Sequence, residues 1–140
     1  METFVIDTSV VVQWFNKTNE LHSKKARQIL KDLQNEKIHI VIPDSLPLEL
    51  LNALLIGKKC PLAEANLAVK RLFDSPINIV EVSLSILEQT SLVMKHYNLT
   101  SYDAYFLALA EYENCRLISD DKKAHGKILD GNVLMLKDYR

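Results

Sequence analysis

Two cysteines are all that the 140-residue sequence holds, and Cys60 and Cys115 stand far apart in it. They are too few for a disulfide framework and too isolated for a zinc site, so they read as free cytosolic thiols. Glycine is almost as scarce, at three residues. No Gly/Ser linker, internal repeat or low-complexity tract divides the chain, and a single domain over residues 1–140 is expected. No apolar run approaches the ~18 residues of a membrane span, which excludes a transmembrane helix. The N-terminus lacks the basic flank and small-residue cleavage site of a secretion signal, so a cytoplasmic protein is expected. An excess of one charge is missing too. The 17 basic and 18 acidic residues leave a net −1, which gives no global mark of nucleic-acid binding.

What is present is a globular mixture, 48% apolar and 25% charged, in a length that can bury one substantial core. Short apolar runs rich in β-branched residues occur at 4–6 (FVI), 38–42 (IHIVI), 77–82 (INIVEV), 116–118 (RLI) and 133–136 (VLML). Between them lie stretches of helical period. Ala26, Ile29, Leu30 and Leu33 form one apolar stripe, Leu62, Ala65, Val69 and Leu72 another, and Ile86, Val93 and Tyr97 a third. Strands that alternate with long helices indicate βα units and a parallel sheet covered on both faces. The strands are too few for an eight-fold barrel, so the spacing predicts an α/β fold, a three-layer α/β/α sandwich. Such sheets bind ligands outside the carboxyl ends of their strands. Asp7, directly after the first run, stands at that edge.

Three further acids sit in unusual places. Glu49 interrupts the run from Leu46 to Ile56, whose helix is apolar nearly all round and is therefore expected to be buried; Asn52 shares its face. A carboxylate there needs a cation or hydrogen-bond partners. Asp103 begins another mostly apolar helix, and Asp121 follows the fourth strand. Simpler roles exist for each. Asp7 can cap the helix that starts near Ser9, Thr100 and Asp103 match a capping box, and Asp120 and Asp121 can favour a helix N-terminus. Glu49 could pair with a lysine.

If the four converge, each pair of carboxylates ~5 Å apart repels by about 3 kcal/mol at an effective dielectric near 20. Such a group would titrate or bind cations. All-oxygen donors suit Mg²⁺ or Mn²⁺ rather than zinc. Metal ions at a strand edge can activate water for in-line attack at phosphorus, which is phosphodiester hydrolysis.

FVIDTSVVVQWF, LPLELLNAL, SYDAYFLALAE and LISDDKKAH, in this order, resemble the PIN-domain family, and more narrowly its small VapC-type toxin members. The resemblance covers nearly the whole chain. It implies a parallel sheet of order 3-2-1-4-5 and Mg²⁺- or Mn²⁺-dependent cleavage of RNA. It also implies a homodimer and a partner antitoxin whose tail enters the acidic groove. The family's acidic quartet falls on Asp7, Glu49, Asp103 and Asp121, with Ser119 matching the Thr/Ser two places before the last acid. The register at SDD leaves Asp120 able to share Asp121's role, although the Ser-x-Asp spacing favours Asp121.

Ser119 and Asn52 would orient the ligands or the phosphate. Lys122 and Lys123 rank first as substrate contacts because they adjoin Asp121, ahead of Lys58, Lys59, Lys24 and Lys25. His125 could touch phosphate, whereas His39, inside a strand, reads as structural. Trp14 and Phe15 suit a core or dimer surface better than base stacking. Setting the four acids aside leaves +3 on the rest of the chain, so the acidity is concentrated in the proposed site. Competing readings are an RNA-processing PIN nuclease outside any toxin–antitoxin pair, and a non-catalytic RNA-binding module of PIN-like fold. A phosphatase with Asp7 as nucleophile is a third, but it would carry a second acid where Ser9 stands.

Overall fold

The structure, a computed structural model, describes residues 1–15 and 22–140. Five strands, β1 (Glu2–Ile6), β2 (Ile38–Pro43), β3 (Asn78–Val80), β4 (Arg116–Ser119) and β5 (Val133–Met135), form one sheet. All the pairings are parallel and the order is β3-β2-β1-β4-β5, as expected. β1 is central, with Val5 opposite both Val41 and Leu117. Phe4, Val5 and Ile6 are all buried, as a strand covered on both faces requires. β3 is shorter than its apolar run suggests, because Glu81 and Val82 are exposed and leave the sheet.

The helices are α1 (Thr8–Phe15), α2 (Ser23–Gln34), α3 (Leu46–Asn52), α4 (Leu62–Asp74), α5 (Leu84–Tyr97), α6 (Ser101–Tyr112) and the single turn α7 (Lys122–His125). α1 packs on β4 and α2 on β2, with α2 and α3 both against α1 and α4 against α3, while α6 lies on β1, β2 and β4 with α5 against it. The Ala26/Ile29/Leu33 stripe of α2 and the Ala65/Leu72 stripe of α4 face the core. No described helix is long and apolar enough to cross a membrane.

The segment around Glu49 departs from expectation. α3 passes into a π-helical turn, Ala53–Gly57, and is not buried all round. Only Leu46, Leu50 and Leu54 lie in the core, at four-residue spacing, whereas Leu48 and Ile56 are 73% and 71% exposed. One stripe of its leucines is enclosed, Leu51 and Leu55 pack partly buried beside it, and Leu48 and Ile56 face outward. Leucine content alone does not distinguish that arrangement from full burial.

α6 is the better example of a buried helix, with Ala104 and the run from Phe106 to Ala110 all enclosed. Phe106, 1% exposed, is among the largest wholly buried side chains. Phe106→Ala should lower the unfolding free energy by about 3–5 kcal/mol, measured by chemical denaturation. A loss near the surface norm of about 0.5 kcal/mol would mean α6 is not docked as described.

Candidate active site

Asp7 continues the last rung of β1, its N–H donating to the Ile118 carbonyl at 3.0 Å. Its side chain therefore lies at the carboxyl edge of the central strand. It also caps α1, since Oδ2 accepts the Ser9 N–H at 3.1 Å. Asp7 is only 5% exposed. Burial pushes its carboxyl above the ordinary range, with the Asp121 charge adding to the rise and His125 and the Ser9 bonds opposing it.

Glu49 enters from the first turn of α3, half-buried, with Oε2 3.5 Å from the Ser45 hydroxyl. Burial, then the charges of Asp7 and Asp103, raise its carboxyl from 4.5 to about 7. Asp103 lies in the first turn of α6, which Thr100 caps. The Thr100 Oγ1 accepts the Asp103 N–H and donates to Oδ2, both at 3.3 Å. Asp121 follows β4 and caps α7, Oδ1 accepting the Ala124 N–H at 3.0 Å.

The four acids thus belong to one electrostatic neighbourhood: Glu49 responds to Asp7 and Asp103, and Asp7 responds to Asp121. As placed they do not close into a ligand cage. Among the described residues no three His, Cys, Asp or Glu side chains are grouped to hold a metal ion. The caps give a physical reason, since three of the acids are tied to their own helix starts while their charges repel. A carboxylate has more than one lone-pair site, so a cap does not exhaust it. The donor set therefore fits a hard divalent cation in chemistry, although the side chains would have to draw together. Beside Asp7, the Thr8 Oγ1 is a further buried oxygen without a partner among the described residues.

The other candidates separate clearly. Ser119 is wholly buried, and its Oγ accepts the Asp121 N–H at 3.1 Å. Asp120 turns toward α1 and α2. Its oxygens take the Gln13 Nε2–H at 2.8 Å and meet His22 Nδ1 at 2.7 Å, while its N–H donates to Ser9 Oγ at 2.9 Å. Asn52 is exposed on α3, as are Lys122 and Lys123 on α7. Lys24, Lys58 and Lys59 are exposed, and the Lys25 ammonium donates to the Tyr139 carbonyl.

His125 is 0% exposed, so it cannot meet a phosphate as the sequence suggested. Its ring instead reaches Ser119 and the Asp103 carbonyl. His39 is exposed near the start of β2, away from the carboxyl edge. Trp14 packs half-buried, its indole N–H donating to the Ala26 carbonyl at 2.7 Å, with Phe15 edge-on beside it. Gln13, 4% exposed between Ser9, Ser23 and Asp120, was not singled out in the sequence. A polar residue inside VVVQWF was its only signal.

A family model described as PIN domain matches residues 4–127. The chain belongs to the PIN-domain family. Its fold is similar to that of a toxin–antitoxin complex from Klebsiella pneumoniae, at 22% identity and TM-score 0.69, covering 94% of this chain and 96% of the other. VapC20 of Mycobacterium tuberculosis, described as a sarcin-ricin loop cleaving toxin, matches at 14% identity and TM-score 0.69, with 90% and 95% covered. VapBC2 of Rickettsia felis, bound to a promoter DNA fragment, matches at 19% and 0.68, with 95% and 96% covered. At these identities the likeness is one of fold. No sequence among the curated proteins is significantly similar to the chain.

The raised carboxyls of this PIN domain carry a pH signature. Glu49 is protonated more readily in the fold than in the unfolded chain, so the native state holds the extra proton between 4.5 and about 7. Its contribution to stability is full below that window and is lost as pH rises through it. In chelator the melting temperature of the wild type should fall relative to Glu49→Gln as pH rises from 5 to 8, as about that range spans the window. Parallel curves for the two proteins would contradict the raised carboxyl of Glu49.

Proposed function

We propose that the protein is a metal-dependent endoribonuclease that hydrolyses RNA phosphodiester bonds, acting as the toxin of a VapBC-type toxin–antitoxin pair. The observation that carries this reading is the buried Asp7 carboxylate at the central strand's edge, together with Glu49, whose carboxyl is raised to about 7 by burial and then by the charges of Asp7 and Asp103. Asp7, Glu49, Asp103 and Asp121 would hold Mg²⁺ or Mn²⁺. When bound, the ion supplies a water of lowered pKa and offsets charge on the phosphate. Asp120 is committed to Gln13 and His22, which favours Asp121 as the fourth acid. The exposed ammonium groups of Lys122 and Lys123 would draw the RNA backbone toward the acids, and Asn52 would lie on the Glu49 side of the same approach.

The toxin–antitoxin complexes of like fold support a protein partner. An open groove between α1, α2 and α4, lined by Trp14, Phe15, Leu67, Ala68 and Arg71, would receive an antitoxin. Leu84, Leu87 and Leu92 on α5 are exposed and would suit the apolar face of a homodimer. A non-catalytic PIN module that binds RNA is the second reading, favoured by the absence of a closed ligand cage among the described residues. An RNA-processing nuclease outside a toxin–antitoxin pair would use the same acids.

Wild-type protein should cut a labelled structured RNA in Mn²⁺ and not in chelator, and Asp103→Asn should lose about 100-fold or more of that rate. Cutting that persists in chelator, or that ignores Asp103, would refute the nuclease site; RNA binding that survives chelation without cleavage would favour the second reading. Millimolar Mn²⁺ should also raise the melting temperature, because an ion bound only by the native state stabilises it by mass action. An indifferent melting temperature would count against the carboxylates as ligands.

A further inference from the structure

His125 closes α7 and is wholly enclosed, and a buried imidazole must satisfy both ring nitrogens. Nε2 lies 3.1 Å from the backbone carbonyl of Asp103, an atom that can only accept, so Nε2 carries the proton. In the neutral ring Nδ1 is then the acceptor, and it lies 2.7 Å from Ser119 Oγ. The serine hydroxyl donates to it, while its oxygen accepts the Asp121 N–H at 3.1 Å. One unbroken chain of bonds results, from the Asp121 N–H through Ser119 and the imidazole to the Asp103 carbonyl. It joins the β4–α7 connection to the first turn of α6, the two segments that bear Asp121 and Asp103. A wholly apolar side chain would fill the space but would leave the Ser119 hydroxyl without this acceptor and would remove the bond that the ring adds to the Asp103 carbonyl, whose remaining acceptance is the helical one.

We propose that His125 is a positioning residue, whose buried Nε2–H tautomer clamps Ser119 to the Asp103 backbone and thereby sets the affinity of the acidic site for a divalent cation. The proposal rests on the reading above that these carboxylates bind metal. It assigns His125 no contact with substrate or metal. Its partners are the groups that hold the ligand-bearing segments in register, and bonds of that kind commonly govern metal affinity by about 10–100-fold.

The test uses the full chain. Long-range ¹H–¹⁵N spectra of the metal-free protein read the tautomer, and calorimetric titration with Mn²⁺ alone reads affinity for wild type, His125→Phe, His125→Asn and His125→Gln. The ring should be protonated at Nε2 and not at Nδ1. His125→Phe, if its far-UV circular dichroism is that of the wild type, should bind Mn²⁺ about 10–100-fold more weakly. His125→Asn, which can still accept from Ser119, and His125→Gln, which can still donate to Asp103, should each recover part of that loss. If His125→Phe fails to fold, the Asn and Gln variants carry the same comparison against the wild type. A proton on Nδ1, or folded variants with unchanged Mn²⁺ affinity, would overturn the proposal while leaving the metal reading intact. A wild type that takes up no Mn²⁺ would overturn both, and the two failures are thereby told apart.

Discussion

The placement of Asp7 constrains everything around it. A carboxylate at the end of a central parallel strand is surrounded by protein on every side but one, and Asp7 is accordingly almost wholly buried. Desolvating it is costly and raises its carboxyl, a rise that the Ser9 bonds oppose and the Asp121 charge adds to. Glu49 is likewise raised by burial and then by the charges of Asp7 and Asp103. A fold that tolerates this arrangement must offset it locally, and it does so with helix caps. Asp7 takes an amide of α1, Asp103 takes the hydroxyl of the capping Thr100, and Asp121 takes an amide of α7. Capping and ligation are therefore compatible roles here, and the simple reading of each acid does not displace the functional one.

Around these acids lies a polar frame that holds the strand edge together. Ser9 accepts the Asp120 N–H, Gln13 bridges Ser9 and Ser23 to the Asp120 carboxylate, and His22 meets the other Asp120 oxygen. This ties α1 and the start of α2 to the end of β4. On the other side Ser119 and His125 tie the same strand end to α6. Asp120 and Asp121 are adjacent in sequence and point into different networks. The division is physical: Asp120 faces α1, and Asp121 faces the turn it caps.

Much of the fold was legible because each strand is short, β-branched and apolar, and each helix between them has a regular stripe. The four candidate acids stand out for the opposite reason, as charges beside or within apolar runs. What escaped were the residues whose role depends on distant partners. Gln13 lies more than a hundred positions from Asp120, and nothing local announces their bond. His125 reads as an exposed basic residue beside two lysines, yet its helix is one turn long and packs it inward. The leucines of α3 overstated its burial, because hydrophobic content does not say how many faces of a helix find neighbours.

The central claim is that Asp7, Glu49, Asp103 and Asp121, separated as they stand by their caps and their charges, draw together around a divalent cation. The most direct measurement is an anomalous difference map from crystals of the protein soaked in Mn²⁺. The account predicts a peak at the carboxyl edge of β1 and β4, bounded by these four carboxylates, with Asp120 still bonded to Gln13. A peak elsewhere on the molecule, or none at that edge in well-ordered crystals, would contradict it.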